Sequence, residues 1–197
     1  MLEVELKSEV DDMALRRAAV EGAGGTIVFA GRLEDRRYDT YDRALAAKDH
    51  VLRVRIYRAD GEARAELDWK GPTRRDGQYK LREEIGTTVG DADALVAMLE
   101  QLGYEVSIAI DREIVQYDLE GTMIRFERYP RMDDLVEVEG APEQIERAIA
   151  VLGLPRDGFT TDRLPDFVRR YEARTGDRAA ISDAELAGDS SFDVSNA

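Results

Sequence analysis

The residues Glu3-Val4-Glu5-Leu6-Lys7 place two carboxylates and an ammonium two positions apart. In an extended strand successive side chains point to opposite faces, so Glu3, Glu5 and Lys7 share one face and Leu2, Val4 and Leu6 the other. The same alternation recurs down the chain. Leu52, Val54 and Ile56 alternate with Arg53, Arg55 and Tyr57, and Ala63, Ala65, Leu67 and Trp69 alternate with Arg64, Glu66, Asp68 and Lys70. Leu81 alternates with Lys80, Arg82 and Glu84. Ile124 and Phe126 alternate with Arg125 and Glu127, and Val136 and Val138 with Glu137 and Glu139. A face carrying charges of both signs can meet water, in ion pairs that each contribute ~0–1 kcal/mol. It can also line an enclosure. Unpaired ions in an enclosure cost several kcal/mol each, so that arrangement makes sense when a highly charged ligand and metal ions complete it. Three of the four lysines, Lys7, Lys70 and Lys80, fall on this face in a chain that otherwise prefers arginine. An ammonium is a compact charge suited to phosphate oxygens, and a guanidinium grips them in a bidentate fork.

The elements that carry these residues are legible from turn and helix signals. Strand-like runs cover 36–41, 51–58, 62–70, 79–88, 104–119, 122–129 and 135–139, with Asp60-Gly61, Asp76-Gly77 and Glu120-Gly121 as hairpin turns. Amphipathic helices are expected after Asp11-Asp12, after Asp91, from Pro142 and from Pro165 to Ala173. The first three are closed by glycines at 22–25, 103 and 153. About eight strands joined by hairpins predict an α+β fold: an eight-stranded antiparallel β-barrel with helices packed on its outer face. Closure then turns the charged face inward. Three times an acidic strand leads into a helix ending in glycine, a weak internal repeat. Residues 1–175 read as the domain and 176–197 as an acidic, flexible tail without periodicity.

The chain has 197 residues, no cysteine and a net charge of −14, from 42 acidic against 28 basic side chains. The absence of cysteine excludes thiol nucleophiles and thiolate zinc sites and fits a reducing compartment. The negative charge argues against nucleic acid and anionic membranes as partners. With no apolar signal region or run of spanning length, a cytoplasmic location is expected. The acidic, arginine-rich composition resembles that of proteins from salt-loving organisms, and it predicts that stability rises toward molar salt.

The ordered motifs resemble those of the CYTH superfamily, the triphosphate tunnel metalloenzymes. They are Glu3-x-Glu5-x-Lys7, Tyr38-Asp39-Thr40-Tyr41-Asp42, Leu52-Arg53-Val54-Arg55, Trp69-Lys70-Gly71-Pro72 and Lys80-Leu81-Arg82-Glu83-Glu84. Arg112, Arg125-Phe126-Glu127, Glu137-Val138-Glu139 and Thr160-Thr161-Asp162-Arg163 follow, so the likeness spans about 1–175. It implies a tunnel that binds a triphosphate with divalent metal. By matching position, Glu3, Glu5, Glu127, Glu137 and Glu139 are expected metal ligands. Lys7, Arg53, Arg55, Lys70, Lys80, Arg82, Arg112 and Arg125 are expected to grip phosphate, and Glu5, Lys7 and Glu137 to serve catalysis. All-oxygen ligands suit Mg²⁺ or Mn²⁺, and no His or Cys cluster exists for zinc.

The departures are Glu127 where the family has Asp, Ile110 where relatives carry a basic residue, and Leu164-Pro165 in place of Ser-Tyr. His50, the single histidine, is assigned a structural or solvated place, and Gly71-Pro72 a tight turn, the Walker pattern being absent. The resemblance implies a class IV adenylate cyclase, forming cyclic AMP and pyrophosphate from ATP. The alternatives are a triphosphatase acting on thiamine triphosphate, a nucleoside triphosphate or tripolyphosphate, and a non-enzymatic polyphosphate- or nucleotide-binding module. A homodimer is implied by family likeness alone.

Overall fold

The structure is a computed structural model that describes the backbone of residues 2–76 and 79–189 and the side chains of 4–74 and 81–189. The strands are β1 (Leu2–Glu9), β2 (Thr26–Thr40), β3 (Val51–Ala59), β4 (Glu62–Lys70), β5 (Arg74–Asp76), β6 (Tyr79–Val89), β7 (Tyr104–Leu119), β8 (Thr122–Arg128) and β9 (Leu135–Glu139). The helices are α1 (Met13–Gly22), α2 (Ala92–Gln101), α3 (Pro142–Leu152), α4 (Leu164–Thr175) and α5 (Asp183–Ala187). The sheet runs β1-β9-β8-β7-β2-β3-β4-β6 and closes by pairing β1 with β6. The result is the expected eight-stranded antiparallel barrel. The short β5 pairs only with β6 and stands outside the ring.

Two hairpin turns hold the long strands in register. Asp60 and Gly61 both have positive φ (52° and 82°), as do Glu120 and Gly121 (51° and 80°). Two consecutive left-handed residues match the right-handed twist of the strands they join, and glycine takes the second position without steric cost. The helices begin as expected: the Asp12 and Asp91 carboxylates accept hydrogen bonds from the Leu15 and Ala94 backbone N–H groups at 3.0 and 2.9 Å.

The apolar faces of the strands point outward beneath the helices. Leu6, Tyr117, Ile124, Phe126, Val136 and Val138 pack with Val20 of α1 and with Ile145, Ala148, Ile149 and Leu152 of α3. Val54 and Tyr38 pack with Leu95 and Leu99 of α2. The inner face is not charged throughout. Leu33, Tyr57 and Ile114 form a small apolar cluster with Phe29, and Ile108, Ile110, Tyr129 and Leu135 pack with Leu164, Phe167 and Val168 of α4. The charged residues between these two clusters therefore form a band within the barrel.

Two expectations need correction. β2 begins at Thr26, ten residues before the run read from the sequence. The chain beyond Gly176 is not a free tail in its described part. Ala180 pairs with Arg131, Ile181 is 1% exposed in the cluster beneath α4, and the Ser182 hydroxyl caps α5 by accepting from the Glu185 N–H at 3.2 Å. A single β-bridge and a five-residue helix are too short to show as periodicity, which is why the sequence pattern misses them. Residues 190–197 of the expected tail lie outside the described residues.

Candidate active site

β1 supplies Glu5 and Lys7 from adjacent inward positions. Up to Glu5 the strand pairs with β6 on one side, and from Glu5 onward with β9 on the other. Beyond Glu5 its free edge is taken by Thr160, whose N–H and C=O each bond Lys7 backbone at 2.9 Å. This bridge brings Asp162, Arg163 and Leu164 to the lumen, and one cavity is lined by Glu5, Lys7, Arg53, Lys70, Arg82, Arg112 and Glu137 together with those three. The β1–β9 register sets Glu5 opposite Glu139 and Lys7 opposite Glu137. The expected residues Arg55, Arg125, Glu127 and Glu139 stand on the same inner face next to the cavity. The side chains of Glu3 and Lys80 lie outside the described residues, although their backbones pair with Arg82 and Glu5.

Two ion networks organise the walls. In the first, the Lys7 ammonium lies 2.9 Å from Glu137 and 3.2 Å from Glu127. Arg125 bonds Glu137 and donates to Glu127 at 3.0 Å, and the Tyr129 hydroxyl donates to Glu127 at 2.7 Å. The Arg112 Nε lies 3.0 Å from Glu127. In the second, Asp68 receives Arg53 at 3.2 Å and Arg55 at 2.6 Å, and Glu84 pairs with Arg53 at 3.2 Å and Lys70 at 3.3 Å. Arg82 donates to the carbonyls of Gly71 and Asp49 at 2.7 and 2.6 Å, which ties the β4–β5 connection to the loop before β3.

Burial alone would raise the carboxylate pKa values, but the neighbouring cations reverse that. Glu127 is held down to about 2 by Lys7, Arg112 and Arg125, and Glu137 well below its ordinary range by Arg125 and Lys7. Burial opposes the charge on Lys7, yet Glu127 and Glu137 together raise its pKa above that of a free lysine. Both carboxylates therefore stay ionised at neutral pH. That suits them to hold cations and makes them poor proton acceptors.

Sequence reasoning missed several lining residues: Asp35, Arg37, Tyr129, Asp162 and Arg163. Arg163 lines the cavity, its guanidinium 3.0 Å from Asp49 and 3.2 Å from the Thr73 hydroxyl. Its motif was visible in the sequence, but its role depends on where Thr160 docks. His50 meets the Trp69 ring edge to face at 5.2 Å, consistent with its structural assignment.

Seven cationic residues line the cavity against four carboxylates, a positive excess inside a chain of net charge −14. Apart from Tyr129, every polar side chain of the described lining is an acid, a lysine or an arginine, with no Asn, Gln, Ser or Thr among them. Such a cavity matches a multiply charged anion. Among the described residues no three Asp, Glu or His side chains already converge as a metal cage. The register does set Glu5 directly opposite Glu139. A purely carboxylate donor set of this kind fits a hard divalent ion.

Comparison with known proteins agrees with this architecture. The CYTH domain model matches residues 1–148, and the chain belongs to that family. The PH1819 protein of Pyrococcus horikoshii superposes with a TM-score of 0.70 at 24% identity, over 85% of this chain and 98% of its own. A candidate adenylate cyclase from Vibrio parahaemolyticus gives 0.72 at 20%, over 86% and 98%. HpAC1 of Hippeastrum, a candidate adenylyl cyclase with a dominant triphosphatase activity, gives 0.60 at 14%, over 91% and 99%. At these identities the likeness is one of fold. No curated protein is matched by the chain. Among the described residues no helix is long and apolar enough to cross a membrane.

Proposed function

We propose that this protein is a divalent-metal-dependent enzyme that acts on a triphosphate held in the barrel lumen, of the class IV adenylate cyclase type. The observation that carries this reading is the net-positive cavity inside an acidic protein, with carboxylates of β1 and β9 facing one another at its wall. Lys7, Arg53, Lys70 and Arg112, with Arg55, Arg82 and Arg125 behind or beside them, would neutralise and orient the phosphate chain. Glu5, Glu137 and Glu139, with Glu3 by motif, would hold Mg²⁺ or Mn²⁺. The bound ion would supply charge neutralisation at phosphate oxygens. Glu127 would keep Lys7, Arg112 and Arg125 in place. In the cyclase reaction the ribose 3′-oxygen attacks the α-phosphorus of ATP, its proton leaves to solvent or base, and pyrophosphate departs.

The second reading is a triphosphatase, in which water attacks the terminal phosphorus of ATP, thiamine triphosphate or tripolyphosphate, the bond to the bridging oxygen breaks, and inorganic phosphate, the corresponding diphosphate and a proton are released. It is favoured by the acidic and basic side chains of the described lining, which suit the phosphates and include no side-chain amide to read a base. The Hippeastrum neighbour's triphosphatase activity points the same way.

The test is turnover of ATP, thiamine triphosphate and tripolyphosphate with Mg²⁺ or Mn²⁺, products separated, in wild type and Glu5→Gln. The expected result is metal-dependent release of pyrophosphate or phosphate, reduced at least a hundredfold in a folded Glu5→Gln protein. Equal rates in the two proteins, or no turnover of any of the three, would overturn the enzyme reading.

A further inference from the structure

The inner face changes character along the barrel, and it does so the same way on three neighbouring strands. On β3 the cavity is lined by Val51 and Arg53, and Tyr57 follows on the same face as part of an apolar cluster. On β7 it is lined by Ile110 and Arg112, and Ile114 of that cluster follows. β2 runs antiparallel to both, and there Arg37 and Asp35 line the cavity while Leu33 and Phe29 precede them. In one direction along the axis, all three strands therefore pass from charged lining to apolar filling. Leu33 and Ile114 are 0% and 1% exposed, although the described residues of their cluster include none from a helix. Their cover comes from one another across the lumen, since eight strands leave an interior just wide enough for side chains to fill. Phe29 meets the Tyr57 ring edge to face at 5.3 Å. Gly31 makes room for it: a Cβ there would lie 3.2 Å from the Phe29 ring and would clash with the Arg58 carbonyl oxygen. The half-exposed Arg64 side chain lies over the Tyr57 ring, 4.1 Å from its centroid. Water thus comes up to the rings that shut this side of the lumen.

In the other direction the cavity reaches Asp162, Arg163 and Leu164 at the start of α4. We propose that the lumen is a pocket with a single entrance, on the α4 side, and that the plug of Phe29, Leu33, Tyr57 and Ile114 restricts it to substrates with a free phosphate terminus. The terminus enters first, and product leaves by the way the substrate came. A substituent at the other end of the phosphate chain stays on the α4 side, where Val51, Ile110 and Leu164 are the apolar part of the lining. A lumen open at both ends accepts a chain that is substituted at both ends, whereas a plug of buried side chains excludes it by steric clash. The inference rests on the triphosphate reading and adds the class of triphosphate that fits.

The experiment is calorimetric titration of the wild-type protein, in Mg²⁺, with inorganic tripolyphosphate, ATP and diadenosine tetraphosphate. The last carries negative charge comparable to that of ATP but has no free phosphate end. The same titrations are made on Phe29→Ala/Tyr57→Ala and on Phe29→Ala alone, the milder change that decides if the pair does not fold. Wild type should bind tripolyphosphate and ATP, and should bind diadenosine tetraphosphate about tenfold or more weakly than ATP. Removing the plug rings should narrow that ratio severalfold, whereas a purely structural loss weakens all three ligands together. Wild type that binds diadenosine tetraphosphate as tightly as ATP overturns the single entrance. So does wild type that binds tripolyphosphate and refuses ATP, because an open mouth must tolerate a substituent on the outer phosphate. A ratio unchanged in whichever variant folds overturns the assignment of the restriction to these side chains. These three outcomes leave the triphosphate reading intact; wild type that binds none of the three ligands overturns both.

Discussion

Glu127 shows how one buried residue organises the site. Its carboxylate, 0% exposed, sits among Lys7, Arg112, Arg125 and the Tyr129 hydroxyl. Removing it leaves three buried cations with one fewer counter-charge, so Glu127→Gln should cost ~3–5 kcal/mol near neutral pH. Its folded pKa of about 2 lies below the ordinary 4.5, so its contribution is complete above pH 4.5 and is lost as the pH falls toward 2. Urea unfolding from pH 6 to pH 2 checks both points. Glu127→Gln should be weaker at pH 6 and show a shallower acid loss than wild type. Parallel curves would contradict the assignment.

At the scale of elements, the strands whose inner charges alternate with outer apolar residues over most of their length were legible in the sequence. β3, β4, β8 and β9 are of this kind, and β4 and β9 keep the limits read from the pattern. β2 was legible only in its second half. Asp35, Arg36 and Arg37 are consecutive charges, so the alternation vanishes although Asp35 and Arg37 face the lumen and Arg36 does not. Arg36 is polar on the outer face because Asp111 receives it there, and that pairing needs β7 in place. The same blindness hid both Arg37 and the docking of 179–182. On β7, Ile108, Ile110 and Ile114 face inward beside Arg112, so charge alone does not mark the inner face. The segment around Ile181 covers this end of the barrel together with Phe167. Ile181→Ala should therefore cost ~2–5 kcal/mol in denaturant unfolding. A change below 0.5 kcal/mol, the range of surface substitutions, would mean that the segment contributes nothing.

The whole molecule places opposite charge inside and out. The whole chain carries a net −14, while its cavity holds more cations than carboxylates. Closure of the barrel by β1–β6 pairing makes this separation possible, because it removes the inner faces of eight strands from water at once. The band of charge between two apolar clusters then forms one lumen whose imbalance a polyanion corrects. Titration of the wild-type protein with inorganic tripolyphosphate in the presence of Mg²⁺, followed by thermal unfolding, tests this most directly. At a hundredfold excess over Kd, binding should stabilise the fold by about 2.7 kcal/mol and raise the melting temperature by roughly 5–10 °C. An unchanged melting temperature at millimolar tripolyphosphate, with no heat of binding, would contradict the account.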